Sequence, residues 1–377
     1  MSQNKKIVIA ADIFPPDIGG PATYSLKLAE ELIGKGWQVK LICYSDEKQN
    51  DNYSFPVFRV VRSRIKLWHY FKYYLKLKSI ASDCDVIYAM GPVSAGYPAL
   101  KVAKKLNKKF VNKVVGDYAW EYARNNGLTK LGIDDFQKTG FTGRVDQLKK
   151  IESKVCRSAD LVITPSKYLK SIVVGWGATD EQVQVVYNAI IAPEIERKQS
   201  DDDLLVSIGR LVSWKGFEVL IKIVPELLVI NPNFKLMILG SGPDEQKLQD
   251  LVEGLNLKDK IEIKRVEPKE RDQILSKTMA FVLNTGYEGL PHTVLEAMTA
   301  GVPVITTDLC GNPEIVENGK TGLLVEYNNR EQLKEAILKL YNNPELGKQF
   351  VDNAKKGLDK FKFEEMINNT EKILKEV

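Results

Sequence analysis

Short apolar, β-branched runs alternate with helical periodicity along the whole chain. Lys6–Ala11 (KIVIAA) predicts a buried strand, Ala22–Lys35 an amphipathic helix closed by Gly36, and Gln38–Cys43 a second strand. Further strands are expected at Val86–Ala89, Phe110–Val115 and Leu161–Thr164, with helices between them. A second series follows the polar segment Asn188–Asp203, which contains Pro193. Its strands are Leu204–Ile208, Lys235–Leu239, Ile261–Ile263, Ala280–Leu283, Val302–Thr306 and Leu323–Val325, with helices at about 216–229, 243–255, 291–300 and 330–342. Strand, helix, strand in succession predicts parallel sheets with right-handed crossovers. The pattern therefore reads as two doubly wound α/β domains, residues 1–190 and 191–359, facing each other across a cleft. A final helix at about 363–376 follows a polar break and fits either domain. Ligands of such sheets bind at the carboxyl ends of the strands, so the loops that follow strands are where chemistry is expected.

Composition narrows the class without changing that outline. A chain of 377 residues exceeds one small core, and 44% hydrophobic with 27% charged residues excludes disorder, collagen and a disulfide scaffold. The four cysteines (Cys43, Cys84, Cys156, Cys310) are widely spaced, with no CxxC, and the chain has only two histidines. Structural zinc is not expected, and a reducing, cytoplasmic setting is. The N-terminus MSQNKKIVIAADIF has no signal-like apolar stretch, and no run approaches the ~18 apolar residues of a membrane span. Charge is uneven. Residues 1–190 hold 29 Lys and Arg against 18 Asp and Glu, a balance of +11, whereas the remainder holds 25 against 31, a balance of −6. The basic half is suited to an anionic partner: nucleic acid, anionic lipid or a phosphorylated substrate.

Three loops carry the candidate chemistry. Between the first strand and first helix lies Pro15-Pro16-Asp17-Ile18-Gly19-Gly20-Pro21. Gly19 and Gly20 let a backbone approach a ligand, and the helix start offers free N–H groups and a positive dipole end to an anion. The loop is not GxGxxG, which argues against a dinucleotide site. After the first strand of the second domain comes Gly209-Arg210-Leu211-Val212-Ser213-Trp214-Lys215-Gly216, whose Arg210 and Lys215 could converge on a diphosphate. The third is Glu288-Gly289-Leu290-Pro291-His292-Thr293-Val294-Leu295-Glu296. Pro291 marks a helix start, the N–H groups around Leu290, Pro291, His292 and Thr293 could cradle phosphate, and Glu288 and Glu296 are placed for sugar and ribose hydroxyls.

These loops, with the LGSGP turn at Leu239–Pro243, occur in an order and spacing that resembles a GT-B glycosyltransferase of family GT4, the glycosyl transferases group 1 class. The resemblance covers nearly the whole chain. It implies two facing Rossmann-like domains, an N-terminal acceptor side with about residues 360–377 packing back on it, and a C-terminal donor side. It also implies a nucleotide-diphosphate sugar donor (UDP-, GDP- or ADP-linked), retention of anomeric configuration and no metal or other cofactor. Carried over, Arg210 and Lys215 hold the diphosphate, Glu288 the transferred sugar and Glu296 the ribose; Gly20 lines the phosphate loop and Val266 meets the base. Many relatives place a His after a central strand of the first domain. Here that stretch reads Val114-Val115-Gly116-Asp117-Tyr118, which leaves Asp117 as the candidate.

Residues 62–80 (RSRIKLWHYFKYYLKLKSI) interleave Lys and Arg with aromatics, and Leu67, Tyr70, Phe71, Tyr74 and Leu77 fall at helical spacing. Such a stretch suits an anionic membrane surface, a helix packed on its own domain, or RNA; no nucleic-acid fold signature accompanies it, and no nucleic-acid partner is expected. The leading expectation is a glycosyltransferase that builds a glycolipid, lipid-linked oligosaccharide or polysaccharide, in the cytoplasm or peripherally on the inner membrane face. The alternatives are a sugar-nucleotide epimerase or glucan synthase on the same fold, and a nucleotide-sugar binding module without transfer activity.

Overall fold

A computed structural model describes residues 5–17, 19–47, 49–63, 66–190 and 203–377, with the Lys66 and Leu67 side chains excluded. The expectations that touch Arg64, Leu67, Ile18 and the joining segment 191–202 lie outside the described residues. The chain divides into two compact units, Met1–Val186 with Met366–Val377, and Tyr187–Glu365.

The first unit runs β1 (Lys6–Ala10), α1 (Gly20–Gly34), β2 (Gln38–Ser45), β3 (Val57–Val61), α2 (Lys66–Ile80), β4 (Val86–Met90), α3 (Gly96–Leu106) and β5 (Lys109–Lys113). It continues through α4 (Tyr118–Asn125), α5 (Ile133–Lys138), α6 (Gly143–Arg157), β6 (Leu161–Thr164), α7 (Lys167–Gly175) and β7 (Val183–Val185). The sheet is all-parallel in the order β3-β2-β1-β4-β5-β6-β7. β1 is central: Ile7 pairs with Val39 on one side and Val86 on the other. β4 is buried at all five positions, as a strand covered on both faces must be.

The second unit holds β8 (Leu204–Ile208), α8 (Phe217–Ile230), β9 (Lys235–Leu239), α9 (Glu245–Gly254), β10 (Ile261–Lys264), α10 (Pro268–Leu275) and β11 (Ala280–Leu283). Then come α11 (His292–Thr299), β12 (Val304–Thr307), β13 (Leu323–Val325), α12 (Arg330–Tyr341), α13 (Pro344–Lys355) and α14 (Phe363–Glu376). From Met366 onward α14 belongs to the first unit, where Glu371 accepts from the Trp37 indole at 3.2 Å. The sheet order is β10-β9-β8-β11-β12-β13, the arrangement of the first unit repeated. Apolar clusters cover both of its faces, one around Ile221, Leu236 and Ile337, the other around Phe281, Leu295 and Val304. In each sheet the strand order reverses beside the first strand, between β1 and β4 and between β8 and β11, and loops diverge there to leave room for a ligand.

The edge strands β3 and β7 were not expected. Both are short, and Arg59 and Gln184 interrupt their apolar pattern.

Candidate functional site

Lys215 and Glu288 come together at the reversal point of the second sheet. Lys215 ends a one-turn helix, Ser213–Lys215, in the loop after β8, and Glu288 lies in the loop after the neighbouring strand β11. The ammonium and carboxylate form an ion pair, with each side chain 14% exposed. Hydrogen bonds lace the two loops: the Gly286 backbone N–H donates to the Trp214 carbonyl at 2.7 Å, and the Asn284 side-chain Nδ2 donates to the Gly216 carbonyl at 3.0 Å. Gly216 has φ 58°, and a Cβ there would overlap Asn284, so the turn that aims Lys215 requires glycine. Gly240 is the second such position, because any side chain would collide with the Gly209 carbonyl. That contact seats the LGSGP turn on the loop, where Leu211 N–H donates to the Ser241 carbonyl at 3.0 Å.

Arg210 leaves the end of the same strand and is exposed. Pro291 occupies the cap position of α11 with no side-chain cap; Leu290 beside it is 5% exposed, His292 is exposed and Thr293 is half-buried. His292 Nε2 lies 3.1 Å from Asn188 Nδ2. Glu296, one turn into the helix, pairs with Arg271 of α10 at 3.1 Å. Its other oxygen, Oε2, is buried without a hydrogen-bond partner, and burial raises the pKa of the carboxyl despite the Arg271 charge. Val266, between β10 and α10, packs half-buried on the core. The second unit thus gathers a cation, a carboxylate and an uncapped helix start at adjacent strand ends.

In the first unit Gly19 caps α1 and Gly20 opens it, with no side-chain cap hydrogen bond. Arg59 fixes the preceding loop: it donates to the Pro15 carbonyl at 2.5 Å, pairs with Asp51 at 2.7 Å and lies over the Phe14 ring. Asp117 is buried, and both its oxygens have protein partners: the Trp120 N–H at 2.7 Å, which caps α4, and Gln137 Nε2 at 2.7 Å. Desolvation raises its pKa.

The chain matches two family models: Glycosyltransferase Family 4 over residues 18–192 and Glycosyl transferases group 1 over residues 190–357. An uncharacterized glycosyltransferase of Haemophilus influenzae is 24% identical over 371 residues, which is 94% of this chain and 96% of that one. The chain is a GT-B glycosyltransferase resembling family GT4. A putative colanic acid biosynthesis glycosyltransferase of Salmonella typhimurium is 38% identical over 136 residues, 34% of each chain. Among solved structures, Anabaena HepE in complex with UDP and glucose superposes with a TM-score of 0.77 at 16% identity, covering 99% of this chain and 100% of that one.

Two groups in this glycosyltransferase escaped the sequence reading. Lys113, the last residue of β5, is 1% exposed, its Nζ lies 4.2 Å over the Tyr24 ring with no hydrogen-bond partner, and burial lowers its pKa to about 7. Asp12 follows β1; its Oδ1 is buried without a partner, and desolvation raises its pKa to about 7 against hydrogen bonding from Ser94 and Ala95 and the charge of Arg62. The only signal for either was a charged residue at the carboxyl end of an apolar run. Below pH ~4 both folded and unfolded chains keep the Asp12 proton. Between pH ~4 and ~7 the unfolded chain loses it first, so Asp12 costs stability increasingly as pH rises. Asp12→Asn is therefore expected to stabilise by roughly 2–4 kcal/mol at pH 8, by about 1–2 kcal/mol near pH 5 and by almost nothing below pH ~4. Urea denaturation at these pH values checks this; a gain that does not grow with pH contradicts it.

Proposed function

We propose that this glycosyltransferase moves a sugar from a nucleotide-diphosphate donor to a glycolipid, lipid-linked oligosaccharide or polysaccharide acceptor, with retention and without a metal. The pairing of Lys215 with Glu288 carries the reading. A cation held by backbone at a strand end can meet the diphosphate as charge develops on the leaving group, and such fixed electrostatic stabilisation is a large part of catalysis. The uncapped start of α11 adds N–H groups toward the same anion. Glu288 then addresses the sugar once the diphosphate takes over Lys215. The unpartnered Glu296 Oε2 accepts from a ribose hydroxyl, and Val266 borders the base. Arg210, exposed on the same loop as Lys215, adds a second cation. Among the described residues no three His, Cys, Asp or Glu side chains gather to hold a metal ion, whereas cations are in place. HepE binds UDP and glucose, which supports a nucleotide-sugar donor, and the colanic acid relative supports a polysaccharide or glycolipid product.

On the acceptor side, Gly19 and Gly20 line the phosphate loop and Asp12 takes the proton from the acceptor hydroxyl. Asp117 enters this reading as the cap of α4. Membrane docking falls to α2, with a change of face from the spacing argument. Tyr73 and Leu77 are buried and Tyr70 and Tyr74 pack on the core, while Trp68, Phe71 and Leu75 are about half exposed, with Lys72 beside Trp68. No helix among the described residues is long and apolar enough to cross a membrane.

A thermal-shift screen of UDP-, GDP- and ADP-sugars in EDTA tests the donor. One of them at 100 times its Kd adds ~2.7 kcal/mol to stability. No shift with any of the three, or a shift that appears only on adding Mg²⁺ or Mn²⁺, contradicts the reading.

A further inference from the structure

We propose that a groove on the first unit, walled by α2, α3, α4 and α6, binds the hydrocarbon chain of a phosphate-bearing lipid, with Arg144 facing its phosphate. The proposal rests on the lipid-linked acceptor reading and names the chemistry of that acceptor. The groove has a volume of about 1200 Å³ and is lined chiefly by Tyr70, Phe71, Tyr74, Tyr97, Leu148 and Ile151. That is room for a chain longer than the small ligands most pockets take.

Its polar equipment is of one sign. Lys101, Lys104, Lys105 and Arg144 line it and no Asp or Glu does. None of the four forms a salt bridge among the described residues, whereas Lys40, Arg59 and Lys109 of the same unit are each paired with an aspartate. The Lys101 ammonium lies 4.2 Å over the Tyr97 ring, and Lys104 donates to Ser158 Oγ at 3.2 Å. Their methylene stems therefore extend the apolar wall while the charges stay at its rim. An aromatic trough with an unpaired cationic rim complements an anionic amphiphile.

The orientation follows from the ends of the groove. Val93 and Tyr118 line this end: Val93 follows β4, and Tyr118 opens α4 after β5, near enough to Arg144 and to Asp12, which follows β1, to feel their charges. This end therefore meets the carboxyl ends of β1 and β4, where transfer takes place in the proposed function. α3 starts at that end, and Lys104 and Lys105 lie some 12 Å further along it by helical rise. A phosphate at Arg144 thus sits beside the reacting end, and the chain runs away past the lysines. From Phe71 at its rim, Trp68 and Leu75 continue the apolar surface outside the groove, so a lipid could pass between groove and bilayer without exposing its chain to water.

The full chain, titrated calorimetrically with farnesyl phosphate below its micelle concentration, tests this. Farnesyl phosphate binds, farnesol binds at least about tenfold more weakly for want of the charge-assisted contact, and inorganic phosphate does not bind measurably. Arg144→Gln brings farnesyl phosphate down to the farnesol level, and Phe71→Asp, at an exposed position, weakens both. Each variant keeps the donor-induced thermal shift, which shows that it is folded. Equal binding of farnesol and farnesyl phosphate overturns the proposal. So does unchanged binding in both variants, or no lipid binding by a chain that still shows the donor shift. Lipid binding without any donor shift sustains the groove and removes the transferase reading instead.

Discussion

Lys215→Ala should lower kcat for sugar transfer by about 10²–10³-fold while the protein remains folded. Removing one donor to a developing oxyanion costs about 3–4 kcal/mol in transition-state stabilisation. Lys215 is the cation best placed for that work, held by the Ser213–Lys215 turn and the Asn284–Gly216 hydrogen bond. Neither support involves its side chain, so truncation leaves the loop in place. The effect should fall on kcat more than on KM, because the charge it meets grows as the bond to the diphosphate breaks. Arg210→Ala should lower kcat as well, but by less, since Arg210 is exposed and solvent screens it. Steady-state kinetics with thermal melts checks both. A Lys215→Ala variant with unchanged kcat would refute the assignment.

Glu288→Ala should cost more in kcat than Glu296→Ala, by roughly tenfold against a loss of about tenfold or less for Glu296. Glu288 sits against Lys215 at the reacting end, whereas Glu296 is tied to Arg271 and addresses the ribose. The two effects should also differ in kind, with Glu296→Ala acting mainly on KM. Because Lys215 and Glu288 touch, their single losses should not add in the double variant. Additive losses, or the reverse order, would count against these roles.

The central strands of both sheets were readable because they are buried on both faces and spell unbroken apolar runs, as in VIYAM and LLVSI. β3 and β7 were not, since an edge strand needs only one covered side and tolerates Arg59 or Gln184. In α2 the helical spacing of apolar residues was visible, but spacing alone does not say which stripe is buried. Tyr73 and Phe71 are both large aromatics two positions apart; the first is 0% exposed and the second 48%. For the candidate site, each loop stood out by its residues, yet the ion pair between Lys215 and Glu288 spans 73 positions and exists only because β8 and β11 are neighbours. Asp12 and Lys113 were passed over because a single charge in an apolar run carries no periodic signal. Only burial without a partner makes either one conspicuous.

The most direct test of the account is the anomeric configuration of the first product. The full chain would be incubated in EDTA with the α-linked nucleotide sugar that gives the thermal shift, with a lipid-phosphate-linked sugar as the hydroxyl-bearing acceptor, and the new anomeric proton followed by NMR from the first turnovers. The account predicts an α-linked product, formed without added metal and lost in Lys215→Ala. A β-linked product, or transfer that starts only when a divalent cation is supplied, would contradict it.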